Sequence, residues 1–439
     1  MLTGPDLLAR FQALDDFLIA HQDLWRPKPF THRHLPWEAD HPQLARWLRA
    51  RTLEQADADH SQPERLQAPA PFAELAATAS ELGHVQELPG HPGAEPPARL
   101  SVDVPGRKWQ QIRAFASRLQ FTESPRHWLD WCSGKGYLGR LLAQDGARLT
   151  CLEYDPSLVE AGAALSQRQQ LQAHHIQQDV LAADAIQQLS AEHSPVALHA
   201  CGDLHVRLLQ LASQRGCAHL AVAPCCYNRI GTEAYRPLSA AARQSALRLS
   251  RDDLALPLCE TTTAGARVRR QRDQSMARRL AFDLLQRDLR GRDDYLPTPS
   301  LPIHWLNKPF AHYCRDLAEL KALPDPGELD WASLENAGWQ RLAEVRNLEL
   351  LRNLFRRPLE LWLVLDRALF LEEQGYRVRL GQFCEYRLTP RNLLLLAERE
   401  MPTESVDNSV NDIGVTPSKA RRAGLCPDCS ISDQPANNQ

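Results

Sequence analysis

The segment Trp128-Leu-Asp-Trp-Cys-Ser-Gly-Lys-Gly-Tyr-Leu-Gly139 constrains this chain more than any other, because it reads as strand, glycine-rich turn, then helix. An apolar run carries Asp130 near its end, Gly134 and Gly136 follow, and helical spacing begins at Tyr137, Leu138, Leu141 and Leu142. Glycines at such a turn let the backbone approach a ligand and aim helix N-terminal amides at it. The pattern then repeats. Ala147-Arg-Leu-Thr-Cys-Leu-Glu153 is a second strand ending in an acid, followed by helical spacing at Leu158, Ala161, Ala164 and Leu165. A third strand, His175 to Asp179, and a fourth, Pro195 to Asp203, also end in acids, and a fifth runs from Ala218 to Tyr227. Strands alternating with helices of this length predict a parallel sheet with helices on both faces, binding ligands at the carboxyl ends of its strands.

The glycine run is CxGxGxxG, so a dinucleotide fingerprint is formally present at Gly134, Gly136 and Gly139. Asp130 argues against a pyrophosphate, which it would repel, and suits the ammonium of a methionine moiety. Glu153 is placed to accept the hydroxyls of a ribose, and Asp179 the exocyclic amine of adenine. Those features together favour S-adenosylmethionine. The expected cofactor-facing set is Asp130, Cys132, Gly134, Gly136, Glu153, Asp179, His199 and Cys201.

Three motifs, CSGKG (132–136), HACGDL (199–204) and PCCYNRI (224–230), resemble the Rossmann-like methyltransferase family of the methyltransferase-like 25 kind. Its relatives include the ribosomal-RNA-adenine-dimethylase-domain-containing proteins. Val364-Leu-Asp-Arg367, Glu372-Glu-Gln374 and Thr389-Pro-Arg-Asn392 look like that family's closing helix and strands. The similarity covers roughly residues 105–400 and implies a class I methyltransferase with a seven-stranded, mostly parallel sheet. It implies the cofactor far better than the methyl acceptor. A fainter likeness is to tRNA ribose methyltransferases with a Cys-Cys pair after the fifth strand.

The expected organisation is an N-terminal helical region (1–55), a mobile Pro/Ala-rich linker (56–104) holding one helix (Phe72 to Leu82), and the cofactor-binding core (105–230), in which a lead-in helix from Lys108 covers the sheet edge beside the cofactor. An Arg-rich, mostly helical insertion (231–356) follows, then the closing helix and hairpin (357–400) and a disordered tail (401–439). The hairpin is read as Tyr376 to Leu380 against Phe383 to Tyr386. At 439 residues and 43% hydrophobic, the chain can bury a large core. A net charge of −3 gives no global nucleic-acid signature. No apolar run approaches the ~18 residues of a membrane span, and the first residues lack a secretion signal. Eleven irregularly spaced cysteines suit a reducing cytoplasm, the expected location.

The insertion holds the one charge anomaly: Arg243 to Arg292 contains twelve arginines against six acids and no lysine. Arg267, Arg269, Arg270 and Arg272 are dense enough to track an RNA backbone, since guanidinium forks match phosphates. A solvated helix face with arginines paired to Asp273, Asp283 and Asp288 is the other reading.

At the mouth, Asp203 and Tyr227 are expected to face the acceptor and orient it or take its proton. His205 and Asn228 read as surface polar groups flanking it. Cys201, Cys225 and Cys226 should meet there, as packed side chains, as zinc ligands, or with Cys225 and Cys226 as nucleophiles. The site assignment counts Cys225 and Cys226 with the catalytic residues and includes no metal. RNA is the leading acceptor class. A protein side chain, or a degenerate fold that only binds cofactor or RNA, is the alternative; Cys132 in place of the first loop glycine points to the latter.

Overall fold

The computed structural model describes residues 1–91, 95–259 and 266–399. The expected tail, which carries a lone CxxC, Cys426-Pro-Asp-Cys429, lies outside the described residues. Eight strands form one sheet: β1 (Leu2–Thr3), β2 (His127–Trp131), β3 (Arg148–Glu153), β4 (Ala173–Gln177), β5 (Ser194–Cys201), β6 (His219–Cys225), β7 (Tyr376–Gln382) and β8 (Leu393–Arg399). Their order is β1-β7-β8-β6-β5-β2-β3-β4. β4, β3, β2, β5 and β6 are parallel; β8 runs against both β6 and β7, and β1 runs against β7.

The expected seven strands are therefore eight, because the first residues of the chain add an edge: Leu2 pairs with Leu380 and Thr3 with Arg379. Two residues carry no readable alternation, so sequence could not announce this strand. The hairpin also differs from expectation. β7 pairs with β8, Leu380 opposite Leu395, and residues 383–386 fall in the connecting loop. Leu393 to Ala397 is the longer apolar run, and both of its faces are buried.

Side chains alternate between two cores. Leu129, Trp131, Leu152, Ala197, Leu220 and Val222 face one core with helices Pro5–Ala20, Asp203–Arg215 and Arg356–Glu373. Trp128, Leu149, Cys151, Val196, Ala221 and Ala223 face the other, with helices Gly106–Ala116 and Tyr137–Leu142.

The N-terminal helices belong to the first core. Phe11 packs 5.2 Å from Trp362, Phe17 stacks 5.1 Å from Phe355, and Trp362 Nε1 donates to Asp15 Oδ1 at 2.8 Å. The stretch read as a linker is anchored too: helix Phe72–Gly83 buries Phe72, Leu75, Ala76 and Ala79. In the insertion, helix Ala266–Arg290 crosses helix Trp331–Asn353 at Gly338, where a Cβ would lie 2.5 Å from Ala277 O. Arg341 and Arg352 then reach back to Pro29 O (2.6 Å) and Trp25 O (2.7 Å), tying the insertion to the N-terminal region. Among the described residues, no helix is long and apolar enough to cross a membrane.

Candidate active site

Three neighbouring strands end in strained backbone. Cys132 after β2, His199 in β5 and Cys226 after β6 all have positive φ (56°, 71° and 46°) without being glycine. Such conformations cost of order 1–3 kcal/mol each and gather where a site requires them. Here they bend three strand ends around one mouth.

The glycine loop is braced by the acids of β2 and β3. Glu153 accepts Gly134 N at 2.8 Å through Oε2, and Tyr154 N and Asp155 N at 2.9 and 3.0 Å through Oε1. A carboxylate offers about four lone-pair sites, so capacity remains for a ligand hydroxyl. Asp130 is buried, and its Oδ2 accepts Gly139 N at 2.9 Å. Burial pushes its pKa up to about 7, against the opposing pull of the Gly139 hydrogen bond. Gly139 is glycine for packing: a Cβ there would sit 2.6 Å from Leu149 Cδ1. Asp179 is exposed just past β4, with Oδ1 accepting Leu181 N at 2.9 Å. Cys132 is a poor nucleophile, since burial raises its thiol to about 12.

On the other side, Gly202 lets the loop after β6 cross close by. Its φ is +54°, and a Cβ would lie 1.9 Å from Arg229 O. Asp203 N donates to Arg229 O at 2.9 Å, and Asp203 Oδ2 accepts Gly231 N at 2.7 Å, so this acid clamps that loop.

Two expectations at the mouth are corrected. Tyr227 does not face an acceptor: the left-handed turn at Cys226 sends it into the core, fully buried, with its hydroxyl 3.4 Å from Pro224 O and Glu360 Oε1. His205 is no surface group. It is fully buried, with Nδ1 2.9 Å from Ala200 O and Nε2 accepting Arg367 Nε at 2.7 Å. Asn228 is only half-buried, but its Oδ1 is buried and without a hydrogen-bond partner, among the described residues.

Cys201, Cys225 and Cys226 do meet, with all three sulfurs within 4.8 Å of one another. Cys225 is buried and the other two are half-exposed. The neighbouring thiols of Cys201 and Cys225 hold Cys226 below the usual thiol range, helped by Arg391 and Arg229.

Groups that sequence reasoning missed come from distant segments. His199 Nε2 lies 2.8 Å from Gln111 Oε1, and Gln111 Nε2 donates to Leu388 O at 3.2 Å, joining the lead-in helix, β5 and the loop between β7 and β8. Lys108 acts electrostatically on Asp130 and His199. The helix and its place over the sheet edge beside the cofactor were expected from the sequence; these particular partners were not.

A family model described as a methyltransferase domain matches residues 107–233. The match begins in the lead-in helix and ends just past the loop over Gly202, so it contains every element of the mouth except the 383–392 loop. It supports a methyltransferase. No curated protein matches the chain.

Proposed function

We propose that the chain is an S-adenosylmethionine-dependent methyltransferase acting on RNA. The observation carrying the cofactor is the Glu153 clasp on Gly134: an acid at the tip of β3 holds the glycine loop and keeps acceptor capacity for a ribose hydroxyl. The space over Gly134 is open, with no atom within 4 Å of a Cβ built there, and exposed Asp179 stands at the next strand tip. When bound, the cofactor supplies an electrophilic methyl on a sulfonium. The protein's part is then proximity and exclusion of water. Cys132 does not favour a degenerate scaffold, because it adopts the left-handed backbone that a glycine would supply.

The RNA reading rests on the exposed arginines of the insertion. Arg267, Arg269, Arg270 and Arg272 are exposed in the first turns of the Ala266–Arg290 helix and form no ion pair among the described residues. Asp273 and Asp283 make their ion pairs with Arg346 and Arg287 instead. Arg269, Arg272, Arg346 and Arg387 line a cleft of about 740 Å³ together with Glu54, Asp57 and Asp273. A second, of about 480 Å³, shares Ser61, Gln62, Tyr386 and Arg387 with it and extends to Arg357 and Asn392. Exposed arginines without an ion partner among the described residues suit a phosphate backbone.

Calorimetric titration with S-adenosylmethionine and its demethylated product tests the first half. Micromolar binding is expected in the parent chain and a loss of at least about tenfold in Glu153→Ala, or ~1.4 kcal/mol. Absence of binding at millimolar cofactor overturns it. Tritium-methyl transfer that a ribonuclease releases supports the RNA acceptor; label in protein overturns it.

A further inference from the structure

Cys201, Cys225 and Cys226 occupy positions that packing alone does not explain. Cys225 is 3% exposed and would serve as a small apolar side chain, but Cys201 and Cys226 are half-exposed at the mouth. Two local irregularities bring them together. The β5–β6 register shifts between Leu198 and Cys201, so Cys201 lands directly opposite Cys225. Cys226 then takes a left-handed backbone, which puts consecutive cysteines into one cluster instead of on opposite faces of the strand. Without bulge and strain the three sulfurs would not converge.

We propose that Cys201, Cys225 and Cys226 together bind one zinc ion through three sulfurs. A Zn–S bond of roughly 2.3 Å places tetrahedral sulfurs roughly 3.8 Å apart. The Cys201 and Cys225 sulfurs are 3.6 Å apart, and all three lie within 4.8 Å, so sub-ångström adjustments complete the set. The thiols have only weak partners otherwise: Cys201 Sγ is 3.6 Å from His199 O, and Cys225 Sγ 3.9 Å from Ala200 O. Three thiolates and one Zn²⁺ carry a net charge of −1, and the Arg229 and Arg391 guanidiniums act electrostatically on this cluster. Three protein ligands leave the fourth position to an exchangeable ligand, the arrangement of open rather than closed zinc sites. The proposal is independent of methyl transfer, and its test reads metal, not activity.

The full-length chain is purified under reductant without chelator and its metals are counted by plasma mass spectrometry. Stripped protein is then titrated with Co²⁺. One zinc per chain is expected, with a thiolate-to-cobalt charge-transfer band on titration. Both are lost in Cys201→Ser and Cys226→Ser and kept in the Cys426→Ser, Cys429→Ser double variant. Copper in place of zinc, zinc well below one per chain, or zinc retained by Cys226→Ser overturns the proposal. Should the serine variants fail to fold, alkylation of the parent chain decides. Zinc is expected to shield Cys201 and Cys226 from the reagent, and equal labelling with and without zinc overturns the site.

Discussion

Asp130 is a residue whose environment resets its chemistry. In the folded chain burial holds its pKa near 7, against 3.8 ordinarily. Between those values the folded state keeps a proton that the unfolded chain has released. Its contribution to stability is thus fully present below about pH 4 and is lost as pH rises through about 7, on the order of 4 kcal/mol. Asn at this position still accepts Gly139 N and does not titrate. Asp130→Asn is expected to flatten that part of the stability profile, read by denaturant unfolding of both proteins from about pH 4 to 8; identical profiles would refute the buried acid. Gly202 is a backbone case. Gly202→Ala forces a Cβ against Arg229 O and strains a positive φ, so a loss of roughly 3 kcal/mol is expected as a lower thermal midpoint.

At the scale of elements, the Ala266–Arg290 helix divides its arginines by role. Arg278 and Arg287 are buried and committed to the fold, through Lys308 O (2.9 Å) and Asp283 (2.9 Å) respectively. The exposed arginines of its first turns have no such duty. Replacing Arg269, Arg270 and Arg272 by Ala is expected to weaken RNA retention and to flatten the salt dependence, by about one unit of slope for each phosphate no longer neutralised. The thermal midpoint should hardly move, since exposed substitutions stay within about 0.5 kcal/mol. Filter binding across a salt series checks it; an unchanged slope removes this helix from the RNA reading.

For the whole molecule, the boundaries that sequence suggested are not lines along which the protein can be cut. Leu7, Phe11, Leu14, Phe17 and Leu18 of the first helix share a core with Leu363, Leu365 and Trp362 of the closing helix. Each such side chain contributes about 1.5–3 kcal/mol when buried, and a typical domain is stable by only about 5–15 kcal/mol. A fragment of residues 105–400 is therefore expected to elute as aggregate in size-exclusion chromatography, although it contains all the named site residues. A monomeric, cofactor-binding fragment would contradict this.

The alternation of strands and helices, the glycine loop and the acids at strand ends were readable because each is a local pattern: period two, period 3.6 and a turn that needs glycine. Sequence alone thus determined the order of the parallel elements, and the methyltransferase-domain match covers the same stretch. It could not say that Leu2–Thr3 would extend the sheet, that β7 would pass over residues 383–386 to pair with β8, or that Tyr227 would turn inward. Nor could it pair His205 with Arg367, 162 residues away, or supply the register shift and left-handed backbone that bring the expected cysteine cluster together. Those outcomes depend on which distant side chains fill the space beside a residue. Local propensity carries no record of that; only the closed core, where every buried polar group must find a partner, decides it.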